Sequence, residues 1–325
     1  MNPETILVTG AGGFVGSALI PALEQRGYRV RSVFRSPAML GDSLRSTDQT
    51  SSSLDITSRD IRWGPVLADI TVVIHLAGLA HVTSRKSRQS FPRYRQVNVE
   101  STLRLARNAA RRGVKRFIYI SSAKVHGDCS PEGKAFSETD APAPGDAYAI
   151  SKWKAEQALR KLEAGTDMQV VIIRPPLIYG PGVKANFLHL LNAVSKGIPL
   201  PFAGVDNRRS FVSLGNVIDA IALSVVHEKA GGQTFLVADG EDLSMPELVA
   251  RLARIMGKRT MLFPVPAVLA RTVLSACGKR ATYDRLWGSF AVDSDKIRRR
   301  LEWRPPVSVD DAIQQTVDWY LYDRR

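Results

Sequence analysis

The chain has 325 residues, enough for one large α/β unit and a smaller one, and its 44% hydrophobic and 23% charged content is that of an ordinary globular protein. A net charge of +14 comes from basic clusters scattered along the chain, at Arg85-Lys86-Ser-Arg88, Arg111-Arg112, Arg208-Arg209 and Arg298-Arg299-Arg300. They lack the one-face clustering and aromatic interleaving of a nucleic-acid surface, which leaves steering of an anionic substrate or attraction to an anionic membrane surface as uses for the excess. Two cysteines far apart, Cys129 and Cys277, fit no metal-ligand spacing and point to a reducing, cytoplasmic setting.

In chain order, Thr5 to Thr9 reads as a short apolar strand and Ser17 to Arg26 as a helix closed by Gly27. Tyr28 to Phe34 is a second strand. Residues 41–53 are rich in Ser and Thr without periodicity, the pattern of a loop. Thr71 to Leu76 is nearly continuous in apolar residues, as in a sheet covered on both faces. A helix over Val97–Arg112, a strand over Arg116–Ile120, a helix from Tyr148 to Glu163 and a strand over Gln169–Arg174 follow. This alternation predicts a Rossmann-type, doubly wound parallel sheet spanning residues 1–174. Beyond Arg174 prolines and glycines cluster, which predicts a smaller C-terminal α/β lobe over 175–325, with parts of 212–238 returning to the main sheet. Met261 to Cys277 is apolar but is interrupted by Arg271 and falls short of the ~20 residues of a membrane span. A buried amphipathic helix is expected there, and no integral membrane segment.

Thr9-Gly-Ala-Gly-Gly-Phe-Val-Gly16 follows a strand and opens a helix. Gly10 permits the turn, Gly13 lets the backbone approach a pyrophosphate, Gly16 allows close packing, and Phe14 and Val15 are cofactor-binding positions of the same loop, ahead of the helix whose N-terminal amides face the phosphates. The second strand ends in Arg35 with no carboxylate, so Arg35 pairs with a 2′-phosphate or stacks on adenine, and NADP is favoured over NAD. Asp55 and Ile56 sit where a third strand ends. Asp55 either meets the adenine edge or caps a helix before Thr57. His75-Leu76-Ala77-Gly78 ends an apolar strand with small residues that admit a cofactor. His75 itself has no metal-binding partner at fitting spacing, so its role is structural. Asn98 is placed to tie a helix to the sheet beside the site. Ser121-Ser122 follows a strand at the sheet's carboxyl edge, where ligands bind in such folds. Tyr148 and Lys152 lie one helical turn apart on one face. An ammonium beside a phenol lowers its pKa, which makes Tyr148 a proton donor with Ser122 orienting the same oxygen.

Together Thr9-Gly-x-x-Gly-x-x-Gly16, His75-Leu-Ala-Gly78, Ser121-Ser122, Tyr148-x-x-x-Lys152 and Arg174-Pro-Pro-Leu-Ile-Tyr-Gly-Pro-Gly182 resemble the extended short-chain dehydrogenase/reductases, in the nucleotide-sugar epimerase/dehydratase/reductase branch. The resemblance implies Ser122, Tyr148 and Lys152 as the catalytic trio, and Asn186, Arg209 and Arg285 as contacts to a sugar-nucleotide diphosphate. It further implies that Leu200 to Phe202 flank a uracil, that Lys124 lies at the substrate, and that a homodimer forms through the helices near 97–112 and 148–163. A 4,6-dehydratase needs an acid and a base after the serine; here Ala123 and Lys124 stand there, which disfavours dehydration. The stretches Ser121–Gly127, Val183–Leu188 and Asp239–Ser244 look like those of reductases of UDP-4-keto-6-deoxy-N-acetylhexosamines. The expected reaction is therefore an NAD(P)H-dependent reduction of that C4 ketone. 4-Epimerisation of UDP-glucose or UDP-N-acetylglucosamine and a non-catalytic NADP-sensing protein on the same fold are the alternatives.

Overall fold

The computed structural model describes residues 4–35, 51–58, 60–80 and 87–323; the loop expected at 41–50 and the basic pair Arg85-Lys86 lie outside them. Seven parallel strands form the main sheet. Its strands in sequence are β1 (Thr5–Thr9), β2 (Arg29–Phe34), β3 (Ser51–Ser53), β4 (Ile70–His75), β5 (Arg116–Ile120) and β6 (Gln169–Arg174). A two-stranded parallel sheet of β7 (Leu177–Tyr179) and β8 (Phe211–Ser213) follows, before β9 (Thr234–Leu236). The spatial order β3-β2-β1-β4-β5-β6-β9 reverses direction between β1 and β4. At that switch Thr9 is in register with His75. A crevice opens outside the carboxyl ends of strands at such a reversal, and that is where a doubly wound sheet binds its ligand.

The run of apolar residues in β4 to β6 follows from cover on both faces. One face packs Leu19, Ile20 and Leu23 of the helix Phe14–Gln25 with Val217 and Ile221 of the helix Leu214–Val226. The other packs Leu105 and Ala109 of the helix Ser101–Arg111 with Ala155 and Leu159 of the helix Ala147–Glu163. β9 pairs with β6, so the stretch after β8 re-enters the main sheet, and Ile297, Leu301 and Trp303 join the same core from farther along the chain. The lobe has its own core, with Phe187, Leu191, Leu248, Leu252 and Ile313 on three helices. Among the described residues no helix is long and apolar enough to cross a membrane.

Three local expectations differ from the structure. Ser51–Ser53 is an edge strand rather than a loop, because its backbone pairs with Ser32–Phe34 of β2 regardless of side-chain type. The helix expected over 97–112 starts with a π-helical segment, Arg95–Glu100. Such segments are frequent beside functional sites, and this one holds Asn98. Finally, Met261–Cys277 is not a buried helix: only Ala267–Ala276 is helical, and Ala270 is its one buried residue.

Candidate active site

The loop after β1 is shaped by its glycines. Gly10 has φ of +73°, and a Cβ on it would stand 2.6 Å from the backbone nitrogen of Ala77. A Cβ on Gly16 would overlap the carbonyl oxygen of Gly10 and the backbone of Ala11. Both glycines are thus demanded by contacts inside the protein, whereas Gly13 meets only the Gly10 oxygen, at 3.1 Å. Gly13 is the N-cap of the helix that Phe14 and Val15 open, and no side chain caps it. First-turn amides free of a side-chain cap, at the positive end of a helix, are what a pyrophosphate takes. Leu76 donates its backbone N–H to the Thr9 carbonyl, which holds Leu76-Ala77-Gly78 against the loop. These residues fit a nicotinamide dinucleotide.

Beyond β2, Arg35 and Asp55 are both exposed, and Ile56 is buried in the core. Asp55 accepts from the backbone N–H of Thr57 at 2.9 Å and from its hydroxyl at 2.7 Å. Those bonds, with a smaller contribution from the Arg35 charge, hold its carboxyl below the usual range. Asp55 therefore closes a turn; no helix begins at Thr57.

Beside the switch point a chain of hydrogen bonds fixes one tautomer of His75. Thr102 donates to the Asn98 carbonyl at 2.8 Å, so its oxygen accepts from His75 Nε2, also at 2.8 Å. Nδ1 then accepts from the Thr9 hydroxyl at 2.6 Å. Burial first, then the Lys152 charge, push the imidazole pKa down to about 3, so the ring is neutral. The Asn98 side chain bonds Leu79 through both its oxygen (2.7 Å) and its nitrogen (3.0 Å), and donates to Ser151 Oγ at 2.9 Å. It links the π-helical segment, the loop after β4 and the helix that bears Tyr148.

The carboxyl end of β5 and the first turns of the helix Ala147–Glu163 bring Ser122, Tyr148 and Lys152 together. Ser122, buried, caps the 3-10 turn Ala123–His126. Ser122 lies close enough to the Tyr148 hydroxyl to act on its titration, and Lys152 donates to the Ile120 carbonyl at 2.8 Å. The expected depression of the phenol pKa is not what the protein does. Burial pushes Tyr148 up to about 12, against the opposing influence of nearby Ser122, with Asp146 and Tyr94 adding to the rise. The Lys152 ammonium lies 6.0 Å from the centre of the Tyr148 ring and closer, at 4.7 Å, to that of Tyr119. Burial also lowers Lys152 to about 8, partly offset by Glu156. A Cβ on Gly78 would come within 3.3 Å of the Lys152 ammonium, so the ammonium faces the cofactor strip. Ser121 Oγ is buried there with no partner among the described residues, a polar atom that a bound ligand would satisfy.

The structure adds residues that sequence reasoning missed. Asp146 accepts from the Ala149 N–H at 2.7 Å and caps the Tyr148 helix, while its other oxygen holds Lys124. Lys124 is also 3.0 Å from Asp128, so its charge is matched by two carboxylates rather than offered to a substrate. Tyr94 packs edge-on to Tyr148, with ring centres 6.3 Å apart. Glu156, one turn beyond Lys152, is buried in an ion pair with Arg174, which also donates to His126 at 2.9 Å. The one-turn spacing from Lys152 to Glu156 is the signal that could have found it.

In the lobe, Arg209 donates to the Gly288 carbonyl at 2.7 Å. Burial lowers its pKa to about 10; Cys129 opposes that and nearby Arg285 adds to it. Burial likewise lowers Arg285. The two arginines are thus brought within electrostatic reach of each other. Asn186 is exposed in the first turn of the helix Ala185–Ser195. Phe202 departs from expectation: it is only 4% exposed, edge-on to Trp287 at 5.6 Å. It supports the lobe core and has no face left for a base.

The family model of the NAD dependent epimerase/dehydratase family matches residues 6–238. The chain is 41% identical to the UDP-glucose 4-epimerase of Vibrio cholerae, over 98% of this chain and 96% of that one. Among solved structures, MoeE5 in complex with UDP-glucuronic acid and NAD is similar with a TM-score of 0.79 at 26% identity, covering 98% of this chain and 99% of the other. The UDP-glucuronic acid 4-epimerase of Bacillus cereus with UDP-glucuronic acid and NAD has a TM-score of 0.80 at 25% identity, covering 97% and 98%. With the glycine loop, the switch-point crevice and the Ser122–Tyr148–Lys152 cluster, these likenesses show that the chain belongs to the NAD dependent epimerase/dehydratase family of extended short-chain dehydrogenase/reductases.

Proposed function

We propose that the chain exchanges hydride at C4 of a UDP-hexose, and that its reaction is reduction of the C4 ketone of a UDP-4-keto-6-deoxy-N-acetylhexosamine. The observation that carries this reading is the grouping of Ser122, Tyr148 and Lys152 at the end of β5, followed by Ala123 and by a Lys124 bound to two carboxylates. Keto–alcohol exchange needs one proton at one oxygen, and the Tyr148 hydroxyl supplies it while Ser122 orients that oxygen. Dehydration needs a further acid and base, and neither 123 nor 124 provides one. A bound nicotinamide supplies the hydride. Lys152, which lies against Gly78, would hold the ribose of a bound cofactor. Arg209 and Arg285, two cations within electrostatic reach of each other, suit the diphosphate. Arg35 at the end of β2 supports NADPH as the exchangeable reductant.

A second reading, C4 epimerisation of a UDP-hexose, is supported by the 41% identity to the Vibrio cholerae epimerase. It uses the same trio but returns the hydride to the same sugar. One assay separates the two. The protein is mixed with NADPH or NADH and the 4-keto product of a UDP-N-acetylglucosamine 4,6-dehydratase, and nicotinamide absorbance is followed. Stoichiometric loss supports the reductase. No loss, with UDP-glucose and UDP-galactose interconverting without added cofactor, sinks it in favour of the epimerase. Tyr148→Phe is expected to lower either turnover by about 10²- to 10⁴-fold and to leave cofactor binding nearly intact.

A further inference from the structure

Six of the nine large apolar side chains left exposed among the described residues lie in one neighbourhood: Ile198, Met261, Phe263, Val268, Leu269 and Val273. Two backbone hydrogen bonds, Leu200 N–H to the Met261 carbonyl (2.8 Å) and Phe263 N–H to the Leu200 carbonyl (3.0 Å), place the Ile198 loop beside this segment. The helix Ala267–Ala276 is oriented against the usual rule. Ala270 and Leu274, one turn apart, are its more buried positions, while Leu269 and Val273, also one turn apart, face outward, and Val268 is 78% exposed. Exposed apolar side chains gathered in one short segment in this way mark an interaction site.

Charge around the patch selects the partner. From 258 to 283 the chain carries Lys258, Arg259, Arg271, Lys279 and Arg280, and no acidic residue. All five are exposed, and among them only Arg280 is seen in an ion pair within the described residues, with Asp284 at 3.0 Å. A second copy of the chain packed on this patch about a two-fold axis would set these cations against themselves. A surface of anionic lipid headgroups over hydrocarbon matches both features, apolar side chains entering the boundary and cations reaching the phosphates. The helix has ten residues, about 15 Å, half the hydrocarbon thickness, so it lies on such a surface and does not span it.

We infer that the segment from Lys258 to Arg280, with the Ile198 loop, is a docking face for an anionic membrane surface. It lies on the lobe, at residues separate from Ser122, Tyr148 and Lys152, and does not depend on which sugar reaction the protein performs.

The test is co-sedimentation of the full chain with vesicles of phosphatidylcholine alone and of phosphatidylcholine with phosphatidylglycerol. Binding is expected to the mixed vesicles and not to the neutral ones. Arg271→Ala is expected to weaken partitioning roughly fivefold. The double variant Leu269→Asp/Val273→Asp is expected to abolish it with the thermal unfolding curve unchanged, and Val268→Asp serves as an independent second variant. Failure of the wild-type chain to bind the anionic vesicles overturns the inference. So does binding that survives the aspartate variants, which would make the attraction purely electrostatic. If light scattering instead shows a dimer that the aspartate variants convert to monomer, with no vesicle binding, the patch belongs to a second copy and the inference fails.

Discussion

Glu156 and Arg174 form a buried ion pair, 2.5 Å between carboxylate and guanidinium, one helical turn past Lys152. The pair fastens the Tyr148 helix to the end of β6. Removing one member leaves a buried charge uncompensated, which typically costs about 3–5 kcal/mol. Glu156→Gln is therefore expected to lose stability of about that size in urea denaturation. Because Glu156 also holds the Lys152 pKa up, the same variant should move the alkaline limb of the pH–rate profile to lower pH. A variant as stable as wild type would show that the pair contributes nothing net.

Lys152 ties stability to pH with a definite sign. Its pKa in the folded protein is about 8, against an ordinary 10.5. Below pH 8 the ammonium is charged in both states and its burial is unfavourable. Between pH 8 and 10.5 the unfolded chain holds the extra proton, so stability rises with pH. Above pH 10 the raised Tyr148, at about 12, works in the opposite direction. From pH 8 to 9.5 the wild type is expected to gain ~1.5 kcal/mol relative to Lys152→Met. Denaturant unfolding of both proteins at the two pH values measures this, and parallel pH dependence would refute it.

Gly16→Ala tests the glycine loop from inside the protein. Its Cβ would overlap the Gly10 carbonyl and the Ala11 backbone, so the helix must shift away from β1. Loss of dinucleotide binding is expected, together with lower thermal stability. Gly13→Ala, which meets a single backbone oxygen at 3.1 Å, should unfold near wild type and lose affinity only. Equal unfolding temperatures for the two variants would contradict the packing argument.

Arg209→Met should raise KM for the nucleotide sugar by about ten- to a hundredfold with kcat little changed, as for a charged group that binds ground state and transition state alike. A fall in kcat at constant KM would instead place Arg209 at the reacting carbon.

The strands Arg116–Ile120 and Gln169–Arg174 were legible because they lie in the sheet interior, where burial on both faces imposes an apolar run and β-branched residues. Ser51–Ser53 was not, since an edge strand of serines is held by backbone bonds that leave no mark on composition. That Ser122, Tyr148 and Lys152 come together could be read from spacing and order, because a helix turn and a strand end are local. The Tyr148 pKa could not. It is set by how much of the ring the surrounding elements cover and by a lysine that reaches the Ile120 carbonyl instead of the phenol. Phe202 and the outward face of Ala267–Ala276 failed for the same reason: an apolar residue does not say which neighbour covers it, or whether any does.

Asp146 joins two things that evolution would otherwise vary independently: the start of the Tyr148 helix and the residue two places after Ser122. An acid at 124, of the kind dehydration requires, would meet Asp128 and Asp146 at once and set three carboxylates against one another. The path to that chemistry thus runs through concerted replacement at 124, 128 and 146, so single substitutions are expected to lose the old reaction before they gain the new one.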